Sequence, residues 1–319
     1  MSRGATVRSE TAGGRSGRAE ALTGTAFVTG GRGFAGCHLV RLLSAEGWEP
    51  VAPSSAELDL RDRPAVADAF RATPPATVFH LAAFSSPQLS WKQPERALMT
   101  NIEMTLNVLE AARAEAPDAA LVIVGSGQAY GEPESMPVTE DVSLEPRNPY
   151  AVSKAACDML GHQYATGHGM RVLRMRPFNH AGPGQSDDYV LSTLARQVAE
   201  AELSGCDAVL RTGDVRSQRD FTDVRDVVRA YLLAASLEPG AYNVCSGVCT
   251  SIADLIDLLR EEARVEVRQE DDAERMRPNE PSAIRGSHER LTAAVGWEPA
   301  IALEQTVRDT LEWWRERLR

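Results

Sequence analysis

Tyr150 and Lys154 are the residues whose types and spacing point most directly to chemistry. On a helix, positions i and i+4 lie one turn apart on the same face. Asn148-Pro149 just upstream predicts that helix, because Asn caps open amide donors and Pro tolerates the first helical position. An ammonium about 4 Å from a phenolate, at an effective dielectric of about 20, attracts it by roughly 4 kcal/mol. At about 1.4 kcal/mol per pKa unit, the Tyr150 phenol is expected to fall from near 10 to roughly 7. Such a phenol exchanges protons with a hydroxyl or carbonyl at neutral pH. The same spacing occurs on ordinary surface helices, so the reading depends on what surrounds the pair.

A short apolar run, Thr25-Ala-Phe-Val-Thr29, flows into Gly30-Gly-Arg-Gly-Phe-Ala-Gly36 and then into a helical pattern through Leu39, Leu42 and Leu43. Strand, glycine loop and helix in that order predict a dinucleotide site. Gly30, Gly33 and Gly36 would make the tight turn, admit a pyrophosphate against backbone and let the helix pack on the strand. The helix N-terminus adds amide donors. The next strand, 49–52, ends in Pro53-Ser54-Ser55 without the acid that commonly bonds the ribose 2′-hydroxyl of NAD; Glu57 comes later. Arg32 is either a solvated loop side chain or the partner of a 2′-phosphate. NADP (NADPH) is therefore favoured, with NAD as the alternative.

The strand Thr77-Val-Phe-His-Leu81 ends in Ala82-Ala83, small residues where a cofactor can pass close to backbone. A long helix follows Pro94, with Leu98, Ile102, Leu106 and Leu109 at helical spacing. Asn101 within it either bonds backbone or is solvated. Leu121-Val-Ile-Val124 reads as a buried parallel strand leading to Gly125-Ser126. Ligands in open α/β sheets gather beyond the carboxyl ends of strands, so Ser126 lies where substrate would sit. The alternation from 25 to 177 predicts an α/β fold with a doubly wound, Rossmann-type parallel sheet. From 185 the pattern changes to helices at 189–203, 223–236, 251–263 and 303–318 with short strands. The chain thus divides into a disordered tail (1–22), a dinucleotide-binding domain (23–184) and a smaller C-terminal α/β substrate-binding part (185–319). Arg211, Arg216, Arg219, Arg275 and Arg277 fall in loops of that last part. They are either scattered surface charges or a clamp for a diphosphate, whose oxygens match the guanidinium fork.

The composition, 43% hydrophobic and 25% charged, is that of a globular domain, and the net charge of −11 argues against a nucleic-acid partner. No apolar run suits a membrane span. Five scattered cysteines predict reduced thiols and a cytoplasmic protein, not a disulfide framework or zinc site.

Taken together, Thr29-Gly-Gly-Arg-Gly-Phe-Ala-Gly36, His80-Leu-Ala-Ala83, Tyr150-x-x-x-Lys154, Arg176-Pro-Phe-Asn179 and Arg219-Asp-Phe-Thr-Asp-Val224 resemble an extended short-chain dehydrogenase/reductase acting on nucleotide sugars. The resemblance spans roughly residues 24–318. It implies a catalytic set of Ser126, Tyr150 and Lys154. It also implies cofactor contacts from Phe34, Ser54, Asp59, Leu60, Leu81 and Pro177, beside the glycines, Arg32, Ala82 and Ala83. Substrate contacts are implied for Ser86, Gln128, Asn179 and Arg219, with Arg277 and Glu280 near the diphosphate and ribose. Pro177-Phe-Asn-His-Ala-Gly-Pro-Gly-Gln185 and Tyr242-Asn-Val-Cys-Ser-Gly247 most resemble the GDP-4-keto-6-deoxy-mannose reductases, which make GDP-rhamnose. Dehydratases of this group carry a Glu two residues after the catalytic Ser/Thr as the base for the C5 proton; here Gln128 stands there, and a neutral amide does not take that proton. An epimerase with tightly bound NAD uses the same Ser/Tyr/Lys set and stays open as an alternative. The family also implies a homodimer through a four-helix bundle made by helix 95–116 and the Tyr150 helix.

Overall fold

In the computed structural model, which describes residues 24–275 and 281–319, the apolar run becomes β1 (Thr25–Thr29) and the glycine loop opens α1 (Phe34–Ala45). β2 (Glu49–Val51), α2 (Arg63–Ala72), β3 (Thr77–His80), α3 (Pro87–Lys92), α4 (Pro94–Glu115) and β4 (Ala120–Val124) follow. Next come α5 (Pro149–His168), β5 (Val172–Pro177), β6 (Asn179–Ala181), α6 (Val190–Ser204), β7 (Ala208–Thr212) and β8 (Gln218–Asp223). The remainder is α7 (Val224–Ala234), β9 (Gly240–Val244), β10 (Cys249–Ser251), α8 (Ile252–Glu262), β11 (Val267–Asp271), β12 (Ala283–Ile284), α9 (Glu289–Val295) and α10 (Leu303–Leu318). The expected tail 1–22 lies outside the described residues.

The main sheet is six-stranded and wholly parallel, in the order β2-β1-β3-β4-β5-β9. The chain steps outward from β1 to β2 and returns to β3 on the other side, so the order reverses between β1 and β3. That reversal leaves a crevice at the carboxyl ends of the strands, where ligands bind. Both faces are covered. Leu39, Leu43, Val227 and Trp297 pack on one, Phe70, Leu109, Tyr164 and Met170 on the other. Burial on both sides explains why the strands read as continuous apolar runs.

A second core lies in the C-terminal half. There α6, α8 and α10 pack through Leu194, Val198, Leu255, Leu259, Val307 and Leu311. Small sheets, β10-β8-β12 with β6 on β8, and β11-β7, complete it. The expected boundary at 184/185 does not separate the two cores. β9 pairs with β5 in the main sheet, and α7 and α9 contribute Val227, Tyr231 and Leu291 to its core. The physical reason is the edge: without β9, the apolar strand β5 would present unpaired amides and carbonyls. The Tyr150 helix ends where Gly169 takes the left-handed φ of +67°.

Candidate active site

The Asn148 side chain accepts from the Ala151 amide at 2.8 Å and so starts α5 as the sequence predicts. The helix projects Tyr150 and Lys154 onto the carboxyl ends of β4 and β5, and Ser126 follows β4 directly. All three line one cleft of about 640 Å³.

Their electrostatics differ from the expectation. Lys154 is buried and its Nζ donates to the Val124 carbonyl at 2.7 Å. Burial pushes its ammonium below the usual lysine range. The Tyr150 phenol is not lowered towards neutrality but raised above its ordinary value, chiefly by burial, with a hydrogen bond from Ser126 pulling the other way. Desolvation of the phenolate therefore dominates, and the lysine is engaged with a strand carbonyl. At neutral pH the phenol is protonated.

The glycine loop forms the opposite wall. Gly30 has φ +70°, and a Cβ there would lie 2.8 Å from the Ala82 amide nitrogen; a Cβ on Gly36 would lie 2.0 Å from the Gly30 carbonyl oxygen. The α1 N-terminus has no side-chain cap, and Gly33, Phe34 and Gly36 border the cleft, a setting in which helix amides suit an anion. Leu81, Ala82, Ala83 and Pro177 complete the lining foreseen from sequence. This cradle of backbone and small residues fits a dinucleotide pyrophosphate.

Four predicted cofactor residues are not part of that lining. Arg32 pairs with Glu57 at 3.0 Å, and the same carboxylate accepts from the Ser54 amide at 2.7 Å. The turn after β2 thus folds back an acid that the linear sequence places too late. Asp59 is tied to Arg61, which brings its carboxyl down to about 2. Leu60 is buried in the core, its carbonyl accepting from Asn107 at 2.9 Å. Beneath the cleft, His80 is held between Thr29 Oγ1 at 2.8 Å and Thr105 Oγ1 at 3.0 Å. Burial, and then the charge of Lys154, bring it down to about 3, so it is neutral. Asn101 bonds the Phe84 backbone on both sides, accepting from its amide at 2.6 Å, and donates to Ser153 at 2.8 Å. It locks the loop after β3 onto α5.

A second cavity, of about 740 Å³, adjoins the first. Arg211, Arg216, Arg219 and Arg275 all line it, as does Ser86. Gln128 and Asn179 line both cavities and mark their junction. The Gln128 side-chain Oε1 accepts from the Asn148 side chain at 3.1 Å. Arg277 and Glu280 lie outside the described residues. Sequence reasoning missed Tyr189, which lines both cavities and donates to the Ser85 carbonyl at 3.2 Å, and Tyr231, in the floor of the first. It also missed His180, whose ring stacks 5.8 Å from that of Phe34. His180 lay inside the noted Pro177–Gln185 run; the two tyrosines carry no periodic or motif signal.

A switch-point crevice that joins a glycine loop to a Ser/Tyr/Lys set defines a nicotinamide-dinucleotide enzyme of the doubly wound class. The model described as "NAD dependent epimerase/dehydratase family" matches residues 26–245, and the chain belongs to that family. It is 40% identical over 304 residues to the GDP-6-deoxy-D-mannose reductase of Pseudomonas aeruginosa, covering 93% of this chain and 99% of that one. Its fold is similar to the solved structure of RMD from Pseudomonas aeruginosa complexed with NADPH, with a TM-score of 0.84 at 39% identity over 92% of this chain and 99% of that one. It is also similar to the Thermus thermophilus UDP-glucose 4-epimerase complex with NAD, with a TM-score of 0.80 at 30% identity over 91% and 99% of the two chains.

Proposed function

We propose that the protein reduces the C4 ketone of a 4-keto-6-deoxy nucleotide sugar with NADPH, converting GDP-4-keto-6-deoxy-mannose to GDP-rhamnose. The observation that carries the reading is geometric: Tyr150, a phenol protonated at neutral pH, lines the same cleft as Ser126, Lys154 and the glycine loop, next to the cavity junction. A ketone reduction needs a proton donor there, and an alcohol oxidation needs a base. The likeness to the Pseudomonas aeruginosa reductase supports the same direction.

When bound, NADPH supplies the hydride that adds to C4. The uncapped start of α1, with Gly30, Gly33, Phe34 and Gly36, would hold its pyrophosphate, and Ala82 and Ala83 its passage over the strand ends. Lys154, anchored on Val124, would hold the nicotinamide ribose. Tyr150 gives its proton to the oxygen that gains the carbonyl electron pair and recovers one from solvent. Ser126 hydrogen-bonds the same oxygen and orients it. Asn179, Gln128 and Ser86 would contact the sugar nucleotide, and Arg219 and its neighbouring arginines the diphosphate. Gln128 lacks the basicity for C5 deprotonation, so dehydration is disfavoured. The substrate part comprises the second core, with the main sheet and its helices forming the dinucleotide part.

Purified protein given NADPH and GDP-4-keto-6-deoxy-mannose should consume one NADPH per ketone; no loss of NADPH absorbance would sink the reading. One observation favours a second reading, an epimerase: Glu57 sits against Ser54 at the end of β2, where an acid suits the ribose of NAD. Cofactor retained through purification and turning over without net consumption would favour it.

We also propose a homodimer in which α4 and α5 of two copies form a four-helix bundle. Met99 on α4, and Val152 and Met159 two turns apart on α5, are exposed apolar side chains that such a bundle would cover. Among the described residues no helix is long and apolar enough to cross a membrane, and the five cysteines are free, in keeping with the cytoplasmic setting we propose.

A further inference from the structure

Tyr231 carries a buried polar group that the fold leaves idle. It stands on α7, packed in the main core among Val227, Val228 and Ala234, and none of its surface reaches solvent. Its hydroxyl nonetheless has no hydrogen-bond partner among the described residues. A buried donor left unmade is costly, and native cores seldom keep one without use. The residue also lines the dinucleotide cleft, in company with Gly30, Gly33, Val124, Gly125 and Pro177. Burial pushes the Tyr231 phenol well above its ordinary value. Tyr231 is thus a neutral donor at neutral pH.

The other orphan hydroxyl provides a contrast. Thr222, on β8, is also buried and unpartnered, but it lines neither cavity. Of the two residues, only Tyr231 borders a ligand site, its hydroxyl lying just beneath the cleft surface. A dinucleotide is rich in oxygen acceptors along its phosphates and riboses, whereas the apolar neighbours of Tyr231 offer none.

We propose that Tyr231 is a cofactor-binding residue, its hydroxyl donating to an oxygen of the bound dinucleotide, directly or through one enclosed water. The proposal rests on the dinucleotide reading of this cleft. α7 belongs to the chain beyond 185, so the C-terminal half takes part in holding the cofactor as well as the sugar nucleotide.

The test is direct titration of NADPH, followed by fluorescence, on the wild type, Tyr231→Phe and Thr222→Val. Tyr231→Phe should melt at or above the wild-type temperature without ligand, because an unsatisfied donor has been removed. Its dissociation constant for NADPH should rise about 3- to 10-fold, the worth of one hydrogen bond. Thr222→Val should leave NADPH affinity unchanged. An unchanged constant in Tyr231→Phe, or an equal weakening in Thr222→Val, overturns the proposal. Should Tyr231→Phe not fold, a single 3-fluorotyrosine at position 231 takes its place: its fluorine resonance should shift in saturable fashion with NADPH, and an unmoved resonance overturns the proposal. A wild type that takes up no NADPH overturns the dinucleotide reading itself, a result distinct from equal binding by wild type and variant.

Discussion

The two cavities meet at Gln128 and Asn179 yet are made of different material. The dinucleotide cleft has one wall made of backbone: glycines and alanines at strand ends, and the open first turn of α1. The second cavity is walled by long side chains, with arginines drawn from 211–219 and from 275. A backbone wall tolerates almost no added atom, since it cannot rotate away. A side-chain wall adapts its shape, and its hold on an anion depends on charge. The two cavities should therefore fail in different ways.

The largest effect is expected beside the junction, in the first cavity. Tyr150→Phe should lower kcat by about 10²- to 10⁴-fold, the range for a positioned acid, while NADPH still binds. A variant that keeps near-wild-type kcat would remove Tyr150 from the chemistry. Within the backbone wall, Gly36→Ala places its Cβ 2.0 Å from the Gly30 carbonyl oxygen, so the loop has to move. Local strain of about 1–3 kcal/mol corresponds to roughly 5- to 150-fold weaker NADPH binding by titration. Binding of GDP, measured by calorimetry, should be untouched. Arg219→Ala tests the other wall: KM for the nucleotide sugar should rise about 10- to 100-fold, with the NADPH dissociation constant unmoved. If Arg219→Ala weakened NADPH as much as substrate, the division into two walls would be wrong.

The smallest effect concerns the support beneath the cleft. His80 stays neutral in the fold down to about 3, against an ordinary 6.5, because it is buried and faces the Lys154 charge. Between those values the unfolded chain binds a proton that the folded chain refuses. Stability should accordingly fall as pH drops from 6.5 towards 3, by at most about 1.4 kcal/mol per pH unit from this group. His80→Gln should flatten that slope in urea unfolding at pH 5 and 7.5. An unaltered slope would mean that His80 does not carry the acid sensitivity.

The same contrast governs what could be read in advance. Gly30, Gly33 and Gly36 belong to one short stretch, and their spacing within it is already the geometry of the turn. The arginines were noted as a group, but only the folding of β7, β8 and the segment around Arg275 onto one another puts them around one cavity. Glu57 was set aside as too distant from the end of β2, and a turn returns it to Ser54 and Arg32. Tyr189 and Tyr231 left no trace, since a lone aromatic in an apolar pattern looks like any other core residue.

What the sequence by itself determined are relations of short range: the Asn148 cap, the one-turn register of Tyr150 and Lys154, the glycine turn, and the apolar runs that become a two-sided parallel sheet. Each follows from backbone geometry over a few residues, which tertiary packing does not alter. Only the tertiary structure decided the protonation of Tyr150, the engagement of Lys154 with Val124, the partners of Arg32 and the idle hydroxyl of Tyr231. Those depend on how much water each group loses and which distant groups it meets, and both are settled when the two halves of the chain close on one cleft.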